Sequence, residues 1–209
     1  MSRTKIFSFR GSVATALVVG LFVGGMLVGC GGDDNSDGGS YSYKGRSVKI
    51  GDLTWMAENL NRVTDESWCY DDDPSNCAKY GRLYSWNAAI SACPNGWRLP
   101  TQDDWGNLVQ AAGGEDVAGE KLKSKTGWNA CPGCNGNGTD DFGFSALPGG
   151  YRDDYGSSHS YSNGGYYGRW WSTRNFGLAY FWQISSSYET LKEGGSFARS
   201  GLSVRCVRE

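Results

Sequence analysis

The chain holds a single histidine among 209 residues, His159, in a stretch rich in serine and tyrosine. A Ser-His-Asp hydrolase would have to be built on that one imidazole, and no nucleophile elbow accompanies it. Basic residues are not in excess: 20 Lys and Arg stand against 22 Asp and Glu, a net charge of −2. That balance argues against a nucleic-acid partner, which requires a basic surface. Internal repeats are absent, and charged residues make up only 20% of the chain. In their place stand 32 Gly, 12 Tyr and 9 Trp. Such usage fits a loop-rich fold held by aromatic packing rather than a helical bundle.

The long uncharged apolar run lies at the start, residues 13–28, preceded by Arg3, Lys5 and Arg10 and running into the sequence Leu27-Val28-Gly29-Cys30. This is the pattern of an export signal, and its end resembles a bacterial lipobox. The resemblance implies that residues 1–29 are a lipoprotein signal peptide, that Cys30 carries a lipid thioether, and that the new N-terminus is acylated. Several acyl chains hold a membrane far more firmly than one. The alternative is an uncleaved signal anchor, since the run approaches membrane-spanning length. Gly31 is not the aspartate that retains enterobacterial lipoproteins at the inner membrane, so the outer membrane or cell surface is expected. Residues 30–46 then form the lipidated N-terminus and a flexible linker of Gly, Asp, Ser and Asn. Residues 47–209 form one domain. Losing the three basic and no acidic residues of the leader takes the net charge from −2 to −5 and leaves 180 residues.

Six cysteines remain after Cys30, an even number that reads as a disulfide framework in an exported chain. Fifteen connectivities are open. Cys69 with Cys77 and Cys131 with Cys134 are natural local pairs, leaving Cys93 with Cys206. Cys131-Pro132-Gly133-Cys134 also has the spacing of a thiol oxidoreductase. Such a motif draws its low thiol pKa from a helix N-terminus, whereas Asn-Gly-Asn-Gly follows here, and a zinc site would need a second ligand pair. A structural bridge is expected.

Along the domain, Val48, Ile50 and Leu53 predict a strand pair turning at Gly51-Asp52. Residues 68–77 form an acidic loop, and 82–92 a short helix with Leu83, Trp86 and Ile90 on one face. Pro94-Asn95-Gly96 makes a turn. Thr101 is an N-cap with Asp104 three residues on, and Trp105, Leu108, Val109 and Ala112 line one face of a second helix ending at Gly113-Gly114. Residues 117–124 add a partial helical turn. Residues 126–141 form an irregular loop, and 153–167 a Tyr/Ser/Gly loop. Strands are expected over 168–173, 179–185 and 201–207, the last alternating at Leu202, Val204 and Cys206.

Set in order, Trp55-Met56-Ala57-Glu58-Asn59-Leu60, Tyr80-Gly81-Arg82-Leu83-Tyr84-Ser85-Trp86 and Cys93-Pro94-Asn95-Gly96-Trp97-Arg98-Leu99-Pro100-Thr101 resemble the Fibrobacter succinogenes major paralogous domain family. Gly143-Phe144-Ser145-Ala146-Leu147-Pro148-Gly149-Gly150-Tyr151-Arg152, Trp170-Trp171-Ser172-Thr173 and Ser203-Val204-Arg205-Cys206-Val207 continue the match. The resemblance implies an exported or lipid-anchored bacterial protein and brings no biochemical activity with it. Arg98-Leu99-Pro100-Thr101 followed by Trp105 is also similar to a signature of the formylglycine-generating sulfatase-modifying enzymes, within the C-type lectin-like fold. That likeness implies an α+β domain with two helices flanking a small twisted antiparallel sheet with long loops, and a bridge that Cys93 and Cys206 fit.

The chemistry of those relatives does not carry over. The formylglycine enzymes bind copper through paired reactive cysteines. Gly194-Gly195-Ser196-Phe197 resembles part of that region, but only Cys206 lies near. The related iron-dependent sulfoxide synthases need several histidines. Calcium-dependent lectins use Glu-Pro-Asn or Gln-Pro-Asp and Trp-Asn-Asp triplets; the nearest here, Trp128-Asn129-Ala130, lacks the carboxylate. Asn135, Asn137, Asp140 and Asp141 are weak candidates for calcium, as are Asp71, Asp72 and Asp73. No cofactor is expected.

The aromatic residues carry the functional expectation. Tyr151, Tyr155, Tyr161, Tyr166, Tyr167, Trp170 and Trp171 cluster around a glycine-rich loop. Flat rings with a polar tip suit adaptable recognition surfaces. Tyr155, Tyr161, Tyr166, Tyr167 and Trp170 are taken as ligand-binding candidates, with at least one of Trp170 and Trp171 assigned to the core. The reading is a non-catalytic surface lipoprotein that binds or adheres to polysaccharide or another surface macromolecule. The alternatives are a structural envelope protein and a diverged formylglycine-generating-type enzyme.

Overall fold

The computed structural model describes residues 41–156, 158–173 and 179–209. The stretches expected to be a signal peptide, a lipid-bearing Cys30 and a linker up to residue 40 lie outside the described residues.

The N-terminal hairpin forms as its alternation predicts. β1 (Ser47–Ile50) pairs antiparallel with β2 (Leu53–Met56), Ser47 opposite Met56, and Gly51 takes the left-handed φ of +61° that the tight turn requires. β3 (Ser67–Trp68) leads through a 3-10 turn, Tyr70–Asp72, into α1 (Pro74–Tyr80). β4 (Leu83–Tyr84), α2 (Trp86–Ala92), α3 (Gln102–Ala111) and α4 (Glu115–Leu122) follow. The second half is strands: β5 (Tyr151–Asp154), β6 (His159–Ser162), β7 (Tyr167–Trp171), β8 (Ala179–Ser185), β9 (Leu191–Ser196), β10 (Leu202–Ser203) and β11 (Val207–Arg208).

The class is α+β, with three sheets among the described residues. The central one has the order β3-β4-β10-β7-β8-β9; β1-β2-β11 is a second, and β5-β6 a third. Two expectations are corrected here. The two flanking helices are four among the described residues, and the central sheet is not wholly antiparallel, because β10 runs parallel to β7. The last strand is also broken. Between β10 and β11 the backbone turns to the first sheet, Met56 N–H donating to Cys206 O and Leu60 N–H to Val204 O. Residues 201–207 are therefore buried on both faces rather than alternating.

The helix boundaries show which local signals won. Asp73 caps α1, accepting from Ser75 N–H at 2.8 Å, with Pro74 in the first turn. That helix occupies the stretch read as an acidic loop. Leu83 and Tyr84 belong to β4, and α2 starts only at Trp86, where the Ser85 hydroxyl accepts from Ala88 N–H. α2 buries Ala89 and Ala92, so Ile90, expected on its buried face, points outward. α3 has a complete capping box: Thr101 Oγ1 accepts from Asp104 N–H and Asp104 Oδ2 from Thr101 N–H. Arg98 grips the same carboxylate at 2.5 Å. The partial turn at 117–124 is part of a full two-turn helix, α4.

Two apolar clusters flank the central sheet. Trp55, Trp105, Leu108, Leu122, Phe144, Trp170, Ile184 and Leu191 fill one with α3 and α4. Met56, Leu60, Tyr84, Trp171, Phe181, Leu202 and Val204 fill the other with α2. Trp170 and Trp171, neighbours on β7, enter opposite clusters as strand alternation dictates. Three bridges staple this frame: Cys93–Cys206, Cys69–Cys77 and Cys131–Cys134, with Cα atoms 5.9, 4.9 and 5.1 Å apart.

Candidate functional site

The segment 153–167, expected as a loop, folds into the β5–β6 hairpin and the turn after it, and this gives the tyrosines fixed places. Tyr151 pairs with Ser162 and Asp154 with His159. The 3-10 turn supplies the support from the other side. The Tyr70 ring lies 5.5 Å from the Tyr161 ring, and its hydroxyl accepts from Gly164 N–H at 3.0 Å. A β-carbon on Gly150 or Gly164 would stand 2.5 or 2.7 Å from that ring, so both positions need glycine. Tyr161 O–H donates to Asp72 Oδ1 at 2.6 Å, and His159 meets the Tyr161 ring edge-on at 6.1 Å. Burial, then the Asp72 carboxylate, push the Tyr161 phenol above its usual range.

A second group adjoins it through Tyr151. The Tyr151 hydroxyl accepts from Asn163 Nδ2 at 2.8 Å, and its ring carries the Arg169 guanidinium at 3.7 Å. Tyr167 and Phe181 complete the surround at 5.6 and 4.9 Å. Arg169 Nε donates to Gln183 Oε1 at 3.1 Å, and Arg169, Gln183 and Lys192 stand in register across β7, β8 and β9. Partial burial lowers the Arg169 pKa. The result is a half-buried strip of flat rings and planar polar groups. Such a strip offers stacking surface and hydrogen bonds to the same ligand.

The structure thus brings Tyr161 and Tyr167 into this region, while Tyr166 follows in the adjoining turn, 44% exposed. Tyr155 projects from the hairpin tip, 67% exposed, and meets no other ring among the described residues. Trp170 is a correction. It is fully buried, packs 6.2 Å from Trp105 and donates Nε1–H to Asn59 Oδ1 at 2.8 Å, so it has no face for a ligand. Sequence reading missed Tyr70, Arg169 and Gln183. The alternation that sends Trp170 inward also places Arg169 on the opposite face, a signal present in the sequence. Tyr70 is joined to the site only by tertiary contacts from 94 residues away.

Several side chains of the oxygen-rich loops are engaged in internal bonds, while Asp71 and Asp141 are exposed. Asp140 accepts from the backbone and hydroxyl of Ser145, each at 2.7 Å. Asn135 Oδ1 accepts from Asn137 N–H, and Asn137 Oδ1 from Trp128 N–H. Asp72 and Asp73 are held by Tyr161 and Ser75. Among the described residues no three His, Cys, Asp or Glu side chains converge as a metal site requires. Two clefts lie elsewhere. One of about 210 Å³ runs between the β1–β2 turn and α3, and one of about 340 Å³ is lined by Trp97, Arg98 and Arg208.

Residues 48–208 match the family model of the Fibrobacter succinogenes major domain, and the chain belongs to that family. No curated protein and no solved structure matches it.

Proposed function

We propose that this Fibrobacter succinogenes major domain protein is a non-catalytic binding module for polysaccharide, exported and held at the bacterial outer membrane through a lipid on Cys30. In this reading the fold is C-type lectin-like and no cofactor takes part. The observation that carries the proposal is the Tyr151–Arg169 stack beside the Tyr70–Tyr161 pair. Rings present C–H-stacking faces to a sugar, while Arg169, Gln183 and Asn163 offer planar hydrogen-bonding groups fixed by their neighbours. Pre-ordering those groups lowers the entropy lost on binding.

Affinity electrophoresis through gels containing insoluble-derived and soluble polysaccharides tests this. Retention by at least one glycan is expected, lost in Tyr151→Ala and Arg169→Gln and kept in Tyr188→Ala, an exposed tyrosine on the β8–β9 connection. No retention on any glycan refutes the reading.

A second reading, a structural envelope protein without a small ligand, is favoured by the complete burial of Trp55, Trp105, Trp170 and Trp171. Chemical nitration of the folded protein separates the two. Rapid modification of Tyr155 and Tyr166 with loss of glycan retention supports binding. The diverged formylglycine-type enzyme requires free thiols, and thiol counting of the mature protein decides it.

A further inference from the structure

Arg82 is placed against a disulfide rather than a carboxylate. Its Nε donates to Ser67 Oγ at 2.9 Å and its Nη2 to Ser67 O at 2.8 Å, which fixes the plane of the guanidinium. The remaining nitrogen, Nη1, faces both sulfurs of one bridge, 3.6 Å from Cys69 Sγ and 3.4 Å from Cys77 Sγ. Among the described residues no carboxylate stands within ion-pair distance of Arg82. The acids of the same loop are engaged elsewhere, Asp72 with Tyr161 and Asp73 with Ser75, and Asp71 is exposed. A disulfide sulfur is a weak acceptor. A thiolate at the same point would be a strong one, and would supply the anion this guanidinium lacks.

The loop closed by the bridge is a tight turn held by backbone bonds from Asp72 N–H to Cys69 O and from Asp73 N–H to Tyr70 O. Asp71 and Asp72 both hold left-handed backbone, φ +55° and +54°, in consecutive non-glycine residues. Of the two sulfurs, Cys69 belongs to the half-buried residue and Cys77 to the buried one on α1.

We propose that Cys69–Cys77 is a thiol–disulfide exchange site that takes a dithiol reductant, with Arg82 holding the departing thiolate. One thiolate of the dithiol attacks Cys69 Sγ; the Cys69–Cys77 bond breaks, and its electron pair leaves on Cys77 Sγ beside Arg82 Nη1. The second thiolate of the dithiol then attacks the sulfur it shares in the mixed disulfide, releasing Cys69. The reductant ends as a disulfide and the protein as two thiols, two electrons having moved. Reduction frees the turn that carries Tyr70 and Asp72. The exchange itself stands or falls independently of the polysaccharide reading.

The test equilibrates the folded protein with graded dithiothreitol, alkylates it and locates the opened cysteines by mass spectrometry. Cys69 and Cys77 are expected to open while Cys93 and Cys206 stay joined. The equilibrium constant for reduction is expected to fall about tenfold in Arg82→Gln and much less in Arg82→Lys. In the reduced wild type, the pH profile of Cys77 alkylation is expected to have its midpoint below the ordinary thiol range. Equal reduction of wild type and Arg82→Gln overturns the proposal, as does a Cys77 profile centred on an ordinary thiol. Should Arg82→Gln fail to fold, the wild-type profile alone decides.

Discussion

Asn59 and Arg205, 146 residues apart in sequence, meet in the core through two hydrogen bonds from one guanidinium to one amide oxygen, at 3.2 and 2.9 Å. That oxygen accepts a third bond from Trp170, while Asn59 Nδ2 donates to Tyr80 O and Ser203 Oγ. Arg205 also reaches Phe144 O and Ser145 O. Among the described residues no acid pairs with it, and burial lowers its pKa to about 9. Four of the family's sequence segments are therefore tied together by one amide. In this chain those residues answer to the core, since each of their bonds is made inside it.

Removing that amide leaves a buried cation and an indole N–H without their main acceptor. Asn59→Ala is expected to cost about 3–5 kcal/mol of stability. Arg205→Met, which removes the charge together with its need for partners, is expected to cost less. Urea denaturation of the two variants checks the order.

Asp104 predicts an acid-side dependence. Burial opposes its ionisation, but the bonds from Arg98 and Thr101 outweigh burial and hold its pKa below the ordinary value of 3.8. The depressed carboxylate contributes stability that is complete above the unfolded value and is lost as pH falls through the folded one. Asp104→Asn is expected to be destabilised at neutral pH by about 1–2 kcal/mol. The gap to wild type should close as pH falls below the ordinary carboxylate value of 3.8 and through the lower folded one, read by denaturation across pH.

The Cys93–Cys206 bridge closes a loop of 113 residues. In the chain-entropy model a closure of that length is worth about 4–5 kcal/mol. The double variant Cys93→Ser, Cys206→Ser is expected to lose about that much, whereas Cys131→Ser, Cys134→Ser, which opens only a short loop, should lose far less. Calorimetric melting compares them.

Signals confined to one or two turns of chain were legible. Thr101 and Asp104 announced α3, and Gly51-Asp52 announced the first hairpin. β9 was not legible, because Lys192-Glu193-Gly194-Gly195 has neither alternation nor β propensity. It is a strand because β8 offers it an edge from Ala179 to Ile184. α1 was missed for the opposite reason. Its cap, Asp73-Pro74, was in plain view, but the flanking cysteines and acids favoured a loop. At the candidate site, single tyrosines were visible and their supports were not. Tyr70, Arg169 and Gln183 come from three separate segments, and only the fold makes them neighbours.

The pair Tyr161 and Asp72 gives a prediction on the alkaline side. Burial and the adjacent carboxylate both disfavour the phenolate, so the folded pKa lies above the ordinary 10.0. The neutral phenol therefore contributes stability that is complete below the unfolded value and is lost as pH rises through the folded one. A difference titration of phenolate absorbance between wild type and Tyr161→Phe isolates this group from the other tyrosines. Its midpoint is expected clearly above 10. In Asp72→Asn the carboxylate's share disappears and the midpoint should fall, though not to the ordinary value, because the ring still packs on Tyr70. A Tyr161 difference curve centred on an ordinary phenol would show that the 3-10 turn does not hold the ring, and with it the support for the aromatic strip would go.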